Sequence, residues 1–232
     1  MKPIPLLKHS VFIKQLLYRI YYIAKPNRPR SAISLALKKS VDEGGAVCFY
    51  IGANDGLSGN HVNEFVVSGK LNAVFVEPVP FVFKRLSRVY GGRKNAQLVN
   101  CAVSEKDGTA QFFHLKNGTR PGYDQVGSFN RDQVEEKIPD YGGEVVAIEV
   151  KTLSFKSLLN QSKFGQPTIL VVDAEGFDDQ IVFQGLELIK PKVVVYEHMY
   201  LSQERQDKLN ARLKQEGYVL DVVLGDTLAV RG

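Results

Sequence analysis

A glycine-rich turn and an acidic residue close two neighbouring apolar runs in the first half of the chain. The turn Tyr50-Ile51-Gly52-Ala53-Asn54-Asp55-Gly56 ends the first run, and Glu77 ends the second, 25 residues beyond Gly52. Glycines at such a turn let the backbone come close to a ligand and leave N–H groups free for an anion. An acid at the end of the second strand of an open α/β sheet accepts hydrogen bonds from ribose hydroxyls. The two features predict a nucleoside-containing cofactor, and because the glycine spacing is not GxGxxG, a nicotinamide cofactor is disfavoured.

A second set of polar residues closes two apolar runs in the last third of the chain. Asp173-Ala174-Glu175-Gly176 follows the apolar residues 169–172, and Glu197-His198 ends the next run. Strand ends at the carboxyl edge of a parallel sheet lie where such folds bind ligands. Asp173, Glu175 and His198 are therefore candidates for acid–base chemistry. A variant is that Asp173, Glu175 and Glu197 hold Mg²⁺, Mn²⁺ or Ca²⁺ through oxygen ligands. The structural alternative is that the acids favour the next helix N-terminus and that a backbone carbonyl holds His198.

The elements that must position these residues alternate between strand and helix. Strands are predicted over 46–52, 72–78, 97–104, 168–176 and 192–198, helices over 31–41, 60–68, 81–90 and 179–188 and around Leu209 and Leu213, and an antiparallel pair over 218–231. This alternation indicates βαβ units. We therefore predict an α/β fold with a mostly parallel central sheet, helices on both faces and an antiparallel strand pair at the end.

The middle of the chain interrupts this alternation. Strand-like segments at 110–115 and 145–153 flank the polar, glycine-rich residues 116–143. Loops longer than about 12–15 residues are more often functional than idle. We predict an ordered hairpin with a long loop, inserted between elements of the sheet.

Length, composition and cysteine content indicate one soluble globular domain with an appendage. The 232 residues are 44% hydrophobic and 24% charged, which excludes disordered and collagen-like chains. No run approaches the ~18 apolar residues of a membrane-spanning helix. Cys48 and Cys101 both lie in apolar runs, as buried reduced thiols of a cytoplasmic protein do, so the expected location is cytoplasmic.

Positive charge is concentrated in residues 1–41, which carry nine basic side chains and no acid, whereas the remainder has 21 basic and 25 acidic residues. A nucleic-acid enzyme usually spreads its basic surface over the binding domain, so we expect no nucleic-acid partner. We predict a basic N-terminal helical arm over 1–41 and the main domain over 42–232, with 116–143 as an inserted substrate loop.

Three interpretations of the arm stay open. Residues 4–24 mix large apolar side chains with lysine and arginine. They form a helix packed on the domain or on a second subunit of a homo-oligomer, a basic helix at an anionic membrane surface, or a processed signal segment. The membrane interpretation makes the protein peripheral at the membrane.

Six segments in chain order carry a family resemblance. IGANDG, VEPVP, VNCAVS, GSF, VDAEGFD and VYEH resemble the FkbM-type methyltransferases that use S-adenosylmethionine. The resemblance covers about residues 46–230 and leaves the basic arm outside. One departure is visible: many relatives carry lysine two positions before the aspartate of DxEG, where this chain has Val171. The resemblance implies a Rossmann-like methyltransferase fold.

The resemblance also implies a cofactor site. Residues 52–56 would cradle the amino acid part of S-adenosylmethionine, Glu77 would bind the ribose hydroxyls, and Asn100 with Ala102 would border the adenine. Asp55 or Asp173 would balance the ammonium or sulfonium charge. The implied cofactor-binding residues are Gly52, Asn54, Asp55, Gly56, Glu77, Pro78, Asn100, Ala102 and Asp173.

The activity implied is methyl transfer to oxygen, commonly to sugar hydroxyls of glycans, glycolipids or glycosylated metabolites. Alignment for in-line displacement alone is worth ~7–11 kcal/mol, and a base near the methyl group, Asp173 or His198, would help a hydroxyl attack. In the inserted loop, Tyr123 and Phe129 would stack on sugar faces, and Ser128 and Arg131 would bind hydroxyls or an anionic group. Alternatively, this loop only packs its own aromatic residues.

Two other functions compete with the methyltransferase interpretation. One is a non-catalytic nucleotide- or glycan-binding module of the same fold. The other is an NAD-dependent oxidoreductase on the same architecture. Cofactor preference and release of S-adenosylhomocysteine distinguish the three.

Overall fold

The computed structural model describes residues 32–57, 60–120 and 122–232. Eleven strands lie in these ranges: β1 (Val47–Ile51), β2 (Asn72–Val76), β3 (Ala96–Val99), β4 (Ala102–Ser104), β5 (Gly108–Lys116), β6 (Gly127–Ser128), β7 (Glu144–Ser154), β8 (Ile169–Val172), β9 (Val193–Glu197), β10 (Tyr218–Val223) and β11 (Asp226–Arg231). Eight α-helices accompany them: α1 (Ala32–Asp42), α2 (Asn63–Val67), α3 (Pro80–Tyr90), α4 (Arg131–Glu135), α5 (Ile138–Tyr141), α6 (Phe155–Asn160), α7 (Asp178–Leu188) and α8 (Gln203–Gln215). Residues 1–31 of the predicted arm lie outside the described ranges.

Seven strands form the central sheet, in the order β10-β11-β9-β8-β1-β2-β3. The five strands from β9 to β3 in that order pair in parallel, and β11 pairs antiparallel with β9 and with β10. The predicted sheet, mostly parallel with an antiparallel pair at the end, is therefore confirmed. Its topology brings the carboxyl ends of β1, β2, β8 and β9 to one edge.

Helices cover both faces of this sheet, as predicted. Every residue of β1 and β8 is buried, because successive side chains point to opposite faces and each face is packed. Phe49 packs in the apolar cluster that includes α6, α7 and α8. Cys48 and Tyr50 pack in the cluster that includes α1, α2 and α3. Helix α1 enters this layer through Ile33, Leu37 and Val41, so residues 32–41 of the predicted arm are part of the packed fold.

The prediction of one continuous strand over 97–104 is wrong. The chain leaves the central sheet after β3, and β4 pairs in parallel with β7 in a second sheet of order β4-β7-β5-β6. Asn100 marks the break: its amide Nδ2 donates to the carbonyl oxygens of Glu77 at 2.7 Å and Pro78 at 3.1 Å. The side chain thereby fixes the exit of the chain at the edge where β2 ends.

The predicted hairpin is formed by β5 and β7, which pair antiparallel along their length. Residues 117–143 between them contain a 3₁₀ turn at Tyr123–Gln125, the short strand β6, and helices α4 and α5. Val126 and Val134 of this insertion pack on Leu115 of β5. The insertion therefore has its own small apolar cluster and lies on the second sheet. None of the helices in the described ranges has the length and apolar character that crossing a membrane requires.

Candidate functional site

A cavity of about 260 Å³ lies at the carboxyl edge of the central sheet. Its volume is close to the lower end of the ~300–1,000 Å³ that is usual for small-molecule sites. Its lining includes Gly52 and Asn54 after β1, Glu77 after β2, Asp173 and Glu175 after β8, Glu197 at the end of β9, and residues 124–127 of the insertion. The strand ends singled out in the sequence therefore meet around one cavity, and the insertion supplies part of its wall.

Gly52 lies where the end of β1 touches the end of β8. Its φ is +80°, and a Cβ atom on this residue would lie 1.7 Å from the carbonyl oxygen of Asp173. The N–H of Gly52 donates to the carbonyl of Val76 at 3.0 Å, and the N–H of Asp173 donates to the carbonyl of Ile51 at 2.9 Å. Glycine is thus needed both for the left-handed backbone and for the close approach.

Glu77 joins the end of β2 to the glycine-rich turn. Its Oε1 accepts the N–H of Val79 at 2.8 Å, and its Oε2 accepts the N–H of Asn54 at 3.0 Å. Burial raises the pKa of Glu77 to about 7, although these two hydrogen bonds act in the opposite direction. Each carboxylate oxygen can accept a further hydrogen bond. Glu77 can therefore hold the turn and still bind hydroxyl groups in the cavity.

The other predicted cofactor residues divide into two groups. Pro78 and Ala102 line the cavity. Asp55, Gly56 and Asn100 are not among the described residues that line it. Asp55 is buried and accepts the N–H of Leu57 at 3.0 Å, and a Cβ atom on Gly56 would lie 2.6 Å from the ring of Tyr90. These three residues therefore support the walls of the cavity from behind.

Asp173, Glu175 and Glu197 form a carboxylate cluster in which one oxygen of each lies within 4.8 Å of the others. Desolvation at the cavity wall raises the pKa of all three groups, although the side chain of Asp173 still reaches solvent. Repulsion from neighbouring carboxylates raises these pKa values further. The Oε2 atom of Glu197 is buried and has no hydrogen-bond partner among the described residues. The side chains of Glu197 and Asp173 are close enough to share a proton. Like charges this close must be compensated by protons or by a cation.

Asp178 holds the turn that presents two members of this cluster. Its side chain is fully buried; Oδ1 accepts the N–H of Ala174 at 3.0 Å and Oδ2 accepts the N–H of Gly176 at 3.1 Å. Glu175 between them has a φ of +47°, which is uncommon for a residue other than glycine. Asp178 has no predicted role in the sequence, although an acid in the first turn of a helix stabilises the N-terminus of that helix.

The structure does not bring His198 into the cavity. Its Nδ1 lies 3.0 Å from Oγ1 of Thr227 on β11. Successive residues at a strand end point to opposite sides, so Glu197 faces the cavity and His198 faces away. Val171, at the position where relatives carry lysine, is buried in the apolar cluster that also contains Tyr50, so its side chain contributes packing.

Of the four predicted substrate residues, Phe129 lines the cavity. Its ring makes edge contacts, with a centroid distance of 5.3 Å each, to Phe112 and Phe177. The other three lie outside the described lining. The hydroxyl of Ser128 lies 2.7 Å from Oε1 of Gln133 and 3.1 Å from the carbonyl oxygen of Glu175. Tyr123 packs inside the insertion, and Arg131 forms a surface ion pair with Glu135.

Several lining residues were not predicted, because no motif in the sequence marks them. Tyr200 follows β9, and the ammonium group of Lys137 lies 4.1 Å from its ring centroid. Asp124 and Gln125 line the cavity from the insertion, where Asp124 forms an ion pair with Arg85 of α3. These residues add aromatic and hydrogen-bonding groups to the lining of the cavity.

Comparison with protein families decides the family of this chain. Residues 51–220 match the family described as the methyltransferase FkbM domain. The chain belongs to the FkbM methyltransferase family. The match begins at the last residue of β1 and includes the glycine-rich turn, Glu77, the insertion and the carboxylate cluster. A search of the curated proteins finds no match.

The FkbM chain is also similar to solved methyltransferase structures. The methyltransferase FkbM of Methylobacillus flagellatus KT is 15% identical, with a TM-score of 0.52 over 81% of this chain and 44% of the other. A methyltransferase of Geobacter sulfurreducens is 12% identical, with a TM-score of 0.49 over 100% and 93%. Fibrillarin of Aeropyrum pernix, in complex with natively bound S-adenosyl-L-methionine, is 14% identical, with a TM-score of 0.44 over 81% and 67%.

The first of these similarities confirms the predicted methyltransferase fold. The chain spans less than half the length of the M. flagellatus protein. The family and the fold together support methyl transfer in general.

Proposed function

We propose that this FkbM-family protein transfers a methyl group from S-adenosylmethionine to a hydroxyl oxygen of a sugar. One observation carries the proposal: the glycine-rich turn, Glu77 and the carboxylate cluster line the same cavity. When bound there, S-adenosylmethionine would supply a methyl group activated by a positively charged sulfur. Glu77 suits the ribose hydroxyls of such a cofactor, and the carboxylate cluster suits its positive charges.

Glu77 and the apolar residues near it in the cavity lining fit the nucleoside part of the cofactor. Each oxygen of Glu77 accepts one backbone N–H and has capacity for a ribose hydroxyl. The apolar side chains of Val79 and Val103 and the methyl group of Ala102 line the same cavity, where they would shield a flat heterocycle from water. Glu77 therefore serves as the ribose acceptor of the proposed site.

The carboxylate cluster fits the positive charges of the cofactor. Asp173, Glu175 and Glu197 repel one another and hold protons more tightly than usual. A cation placed among them lowers this repulsion and replaces those protons. The sulfonium and ammonium groups of S-adenosylmethionine are such cations. The cluster therefore suits the charged end of this cofactor.

Asp173 is the residue we assign to proton removal from the acceptor. It reaches the cavity from the end of β8, beside Gly52, and its raised pKa suits a general base. Asp173 would accept the hydroxyl proton on a carboxylate oxygen, and the bound cofactor would supply the methyl group, with its sulfur as the leaving group. His198 lies outside the described cavity lining and is not assigned this role.

The insertion side of the cavity supports a sugar as acceptor. Phe129, Tyr141 and Tyr200 offer aromatic faces, and Gln125 offers an amide. Sugar rings present C–H faces that stack on aromatic rings and hydroxyls that need hydrogen-bonding partners. A cavity wall with both kinds of group fits that chemistry.

A second mechanism, metal-assisted activation of the hydroxyl, is favoured by the 4.8 Å spacing of the same carboxylate oxygens. Three carboxylates are hard ligands of the kind that Mg²⁺ and Mn²⁺ bind. In that mechanism Asp173, Glu175 and Glu197 would hold the cation, and the bound cation would supply Lewis-acid activation of the hydroxyl. Sensitivity to chelation separates this mechanism from simple base catalysis.

Cofactor binding is the first test. Isothermal titration calorimetry and thermal melting would compare S-adenosylhomocysteine with NAD. A ligand at 100 times its Kd stabilises the native state by ~2.7 kcal/mol, so the melting temperature should rise with S-adenosylhomocysteine and stay unchanged with NAD. A shift with NAD alone would overturn the proposal in favour of an oxidoreductase.

Turnover is the second test. Transfer of a radiolabelled methyl group from S-adenosylmethionine to a panel of mono- and oligosaccharides should label at least one acceptor, and Asp173→Asn should lower kcat by ~10²–10⁴. The control Asp221→Asn changes an exposed acid of β10 and should leave kcat unchanged. Cofactor binding without transfer to any acceptor would instead support a non-catalytic binding module. Loss of activity with EDTA and recovery with Mg²⁺ would establish the metal-assisted mechanism.

A further inference from the structure

Tyr90, the last residue of α3, lies outside the cavity lining and has no role in the chemistry assigned above. Its side chain is fully buried and stacks on Phe75 of β2 with a centroid distance of 4.3 Å. Its hydroxyl lies 2.9 Å from the carbonyl oxygen of Gly56 and 2.8 Å from Oδ1 of Asn63. The ring is therefore fixed by the sheet, and the hydroxyl reaches the glycine-rich turn 34 residues earlier in the chain.

Asn60 completes this contact from the side of the turn. Its Nδ2 donates to the carbonyl oxygen of Gly56 at 2.9 Å and to the hydroxyl of Tyr90 at 3.1 Å, while its Oδ1 accepts the N–H of Val62 at 2.9 Å. All these groups are buried. Buried polar groups of this kind are costly to leave without partners, so the network gives the turn one defined conformation.

Gly56 is shaped to receive Tyr90. Its φ is +77°, and a Cβ atom there would lie 2.6 Å from Cε2 of Tyr90 and 2.8 Å from Cδ1 of Leu86. The second glycine of the turn thus admits the tyrosine ring from behind the cavity. The turn is held at two points: Glu77 accepts the N–H of Asn54 at its cavity end, and Tyr90 contacts the carbonyl of Gly56 at its far end.

We propose that Tyr90 is a positioning residue for cofactor binding, acting through the hydrogen bond that holds the glycine-rich turn at Gly56. The inference rests on the proposed function, because the turn matters for affinity only if the cofactor binds against it. Helix α3 begins just after Glu77 and ends at Tyr90, so one helix connects the ribose-binding strand end with the back of the turn.

Tyr90→Phe tests this role because it removes the hydroxyl and keeps the stacked ring. Tyr218→Phe is the matched control: Tyr218 is also buried, and its hydroxyl donates to the backbone carbonyl of Pro191 at 2.6 Å, away from the cavity. We expect Tyr90→Phe to raise the Kd for S-adenosylhomocysteine about tenfold and Tyr218→Phe to leave it unchanged. An equal Kd for both variants and the wild type would overturn the inference.

Hydrogen–deuterium exchange separates this inference from the proposed function. In the absence of any ligand, amides of residues 53–57 and 60–67 should exchange faster in Tyr90→Phe than in Tyr218→Phe; unchanged exchange would refute the positioning role even if no cofactor bound. Absence of S-adenosylhomocysteine binding by the wild type would refute the proposed function instead. If Tyr90→Phe does not fold, Asn60→Ser, which removes the amide donor to Gly56, takes its place in both measurements with the same expected outcomes.

Discussion

Replacing Gly52 by alanine tests the close contact on which the whole site depends. Gly52 has a φ of +80° and would place a Cβ atom 1.7 Å from the carbonyl oxygen of Asp173. Gly69 provides a matched control, because its φ is +78° and a Cβ atom there would meet nothing within 4 Å. The two substitutions therefore place alanine at nearly the same positive φ and differ in the space available to the new methyl group.

The expected magnitudes follow from this difference. A left-handed alanine costs ~1–2 kcal/mol at either position. At Gly52 the ends of β1 and β8 must also move apart by about 1.3 Å, because the Cβ contact has to lengthen from 1.7 Å to at least 3.0 Å. Overpacking of this kind typically costs a further ~1–3 kcal/mol. The free energy of unfolding should therefore fall by ~1–2 kcal/mol in Gly69→Ala and by ~2–5 kcal/mol in Gly52→Ala.

Urea unfolding followed by circular dichroism measures both losses, and calorimetry with S-adenosylhomocysteine measures the effect on the site. Gly69→Ala should bind S-adenosylhomocysteine as the wild type does, since Gly69 lies outside the cavity lining. Gly52→Ala should bind it at least tenfold more weakly, a loss of ~1.4 kcal/mol or more. Equal stability and equal affinity of the two variants would refute the reasoning that β1 and β8 meet without room for a side chain.

Two other predictions concern the buried acids. Glu77→Gln places an amide N–H opposite the backbone N–H of Asn54 or Val79, so the Kd for S-adenosylhomocysteine should rise about tenfold. The control is Glu149→Gln, which changes an exposed acid of β7. An unaltered Kd in Glu77→Gln would show that Glu77 does not bind the ribose. Burial raises the folded-state pKa of Glu77 to about 7 and that of Asp178 to about 6. Their protons are then bound more tightly in the folded state, so the stabilisation they contribute is complete below pH ~4 and is lost as pH rises to ~7. Urea titrations from pH 4 to 8 should show a smaller decline in the free energy of unfolding for Glu77→Gln than for the wild type. The same dependence on pH in both proteins would contradict the raised pKa of Glu77.

The carboxyl edge of the sheet was predictable because its residues follow apolar runs whose order specifies a parallel sheet. Gly52, Glu77 and Asp173 each stand immediately after such a run, and all three line the cavity. Parallel strands joined by helices present their carboxyl ends at one edge, so the positions of these residues along the chain were enough to bring them together.

The parts of the site that depend on contacts between distant segments were not predictable. His198 follows Glu197 directly, and the pleat of the strand end decides which of the two faces the cavity. Gly56 looked like a ligand-binding glycine, yet its missing side chain makes room for Tyr90, a residue in a different helix. The strand predicted over 97–104 breaks at Asn100 because of carbonyl acceptors after β2, and no local pattern announces such partners.

The strand order itself orients the proposed reaction. The strands β9, β8, β1 and β2 are neighbours in that order across the sheet. Glu197 on β9 and Asp173 after β8 therefore lie on one side of Gly52, and Glu77 after β2 lies on the other. Neighbouring strands lie ~4.8 Å apart, so Glu77 is displaced by about two strand spacings, roughly 10 Å, from Asp173. A ligand lying across these strand ends with its ribose at Glu77 therefore has its positively charged end among the carboxylates. Phe129 of the insertion lines the same cavity and contacts Phe177, two residues after Glu175. In the proposed reaction, an acceptor stacked on Phe129 would therefore lie beside the turn that carries Asp173 and Glu175.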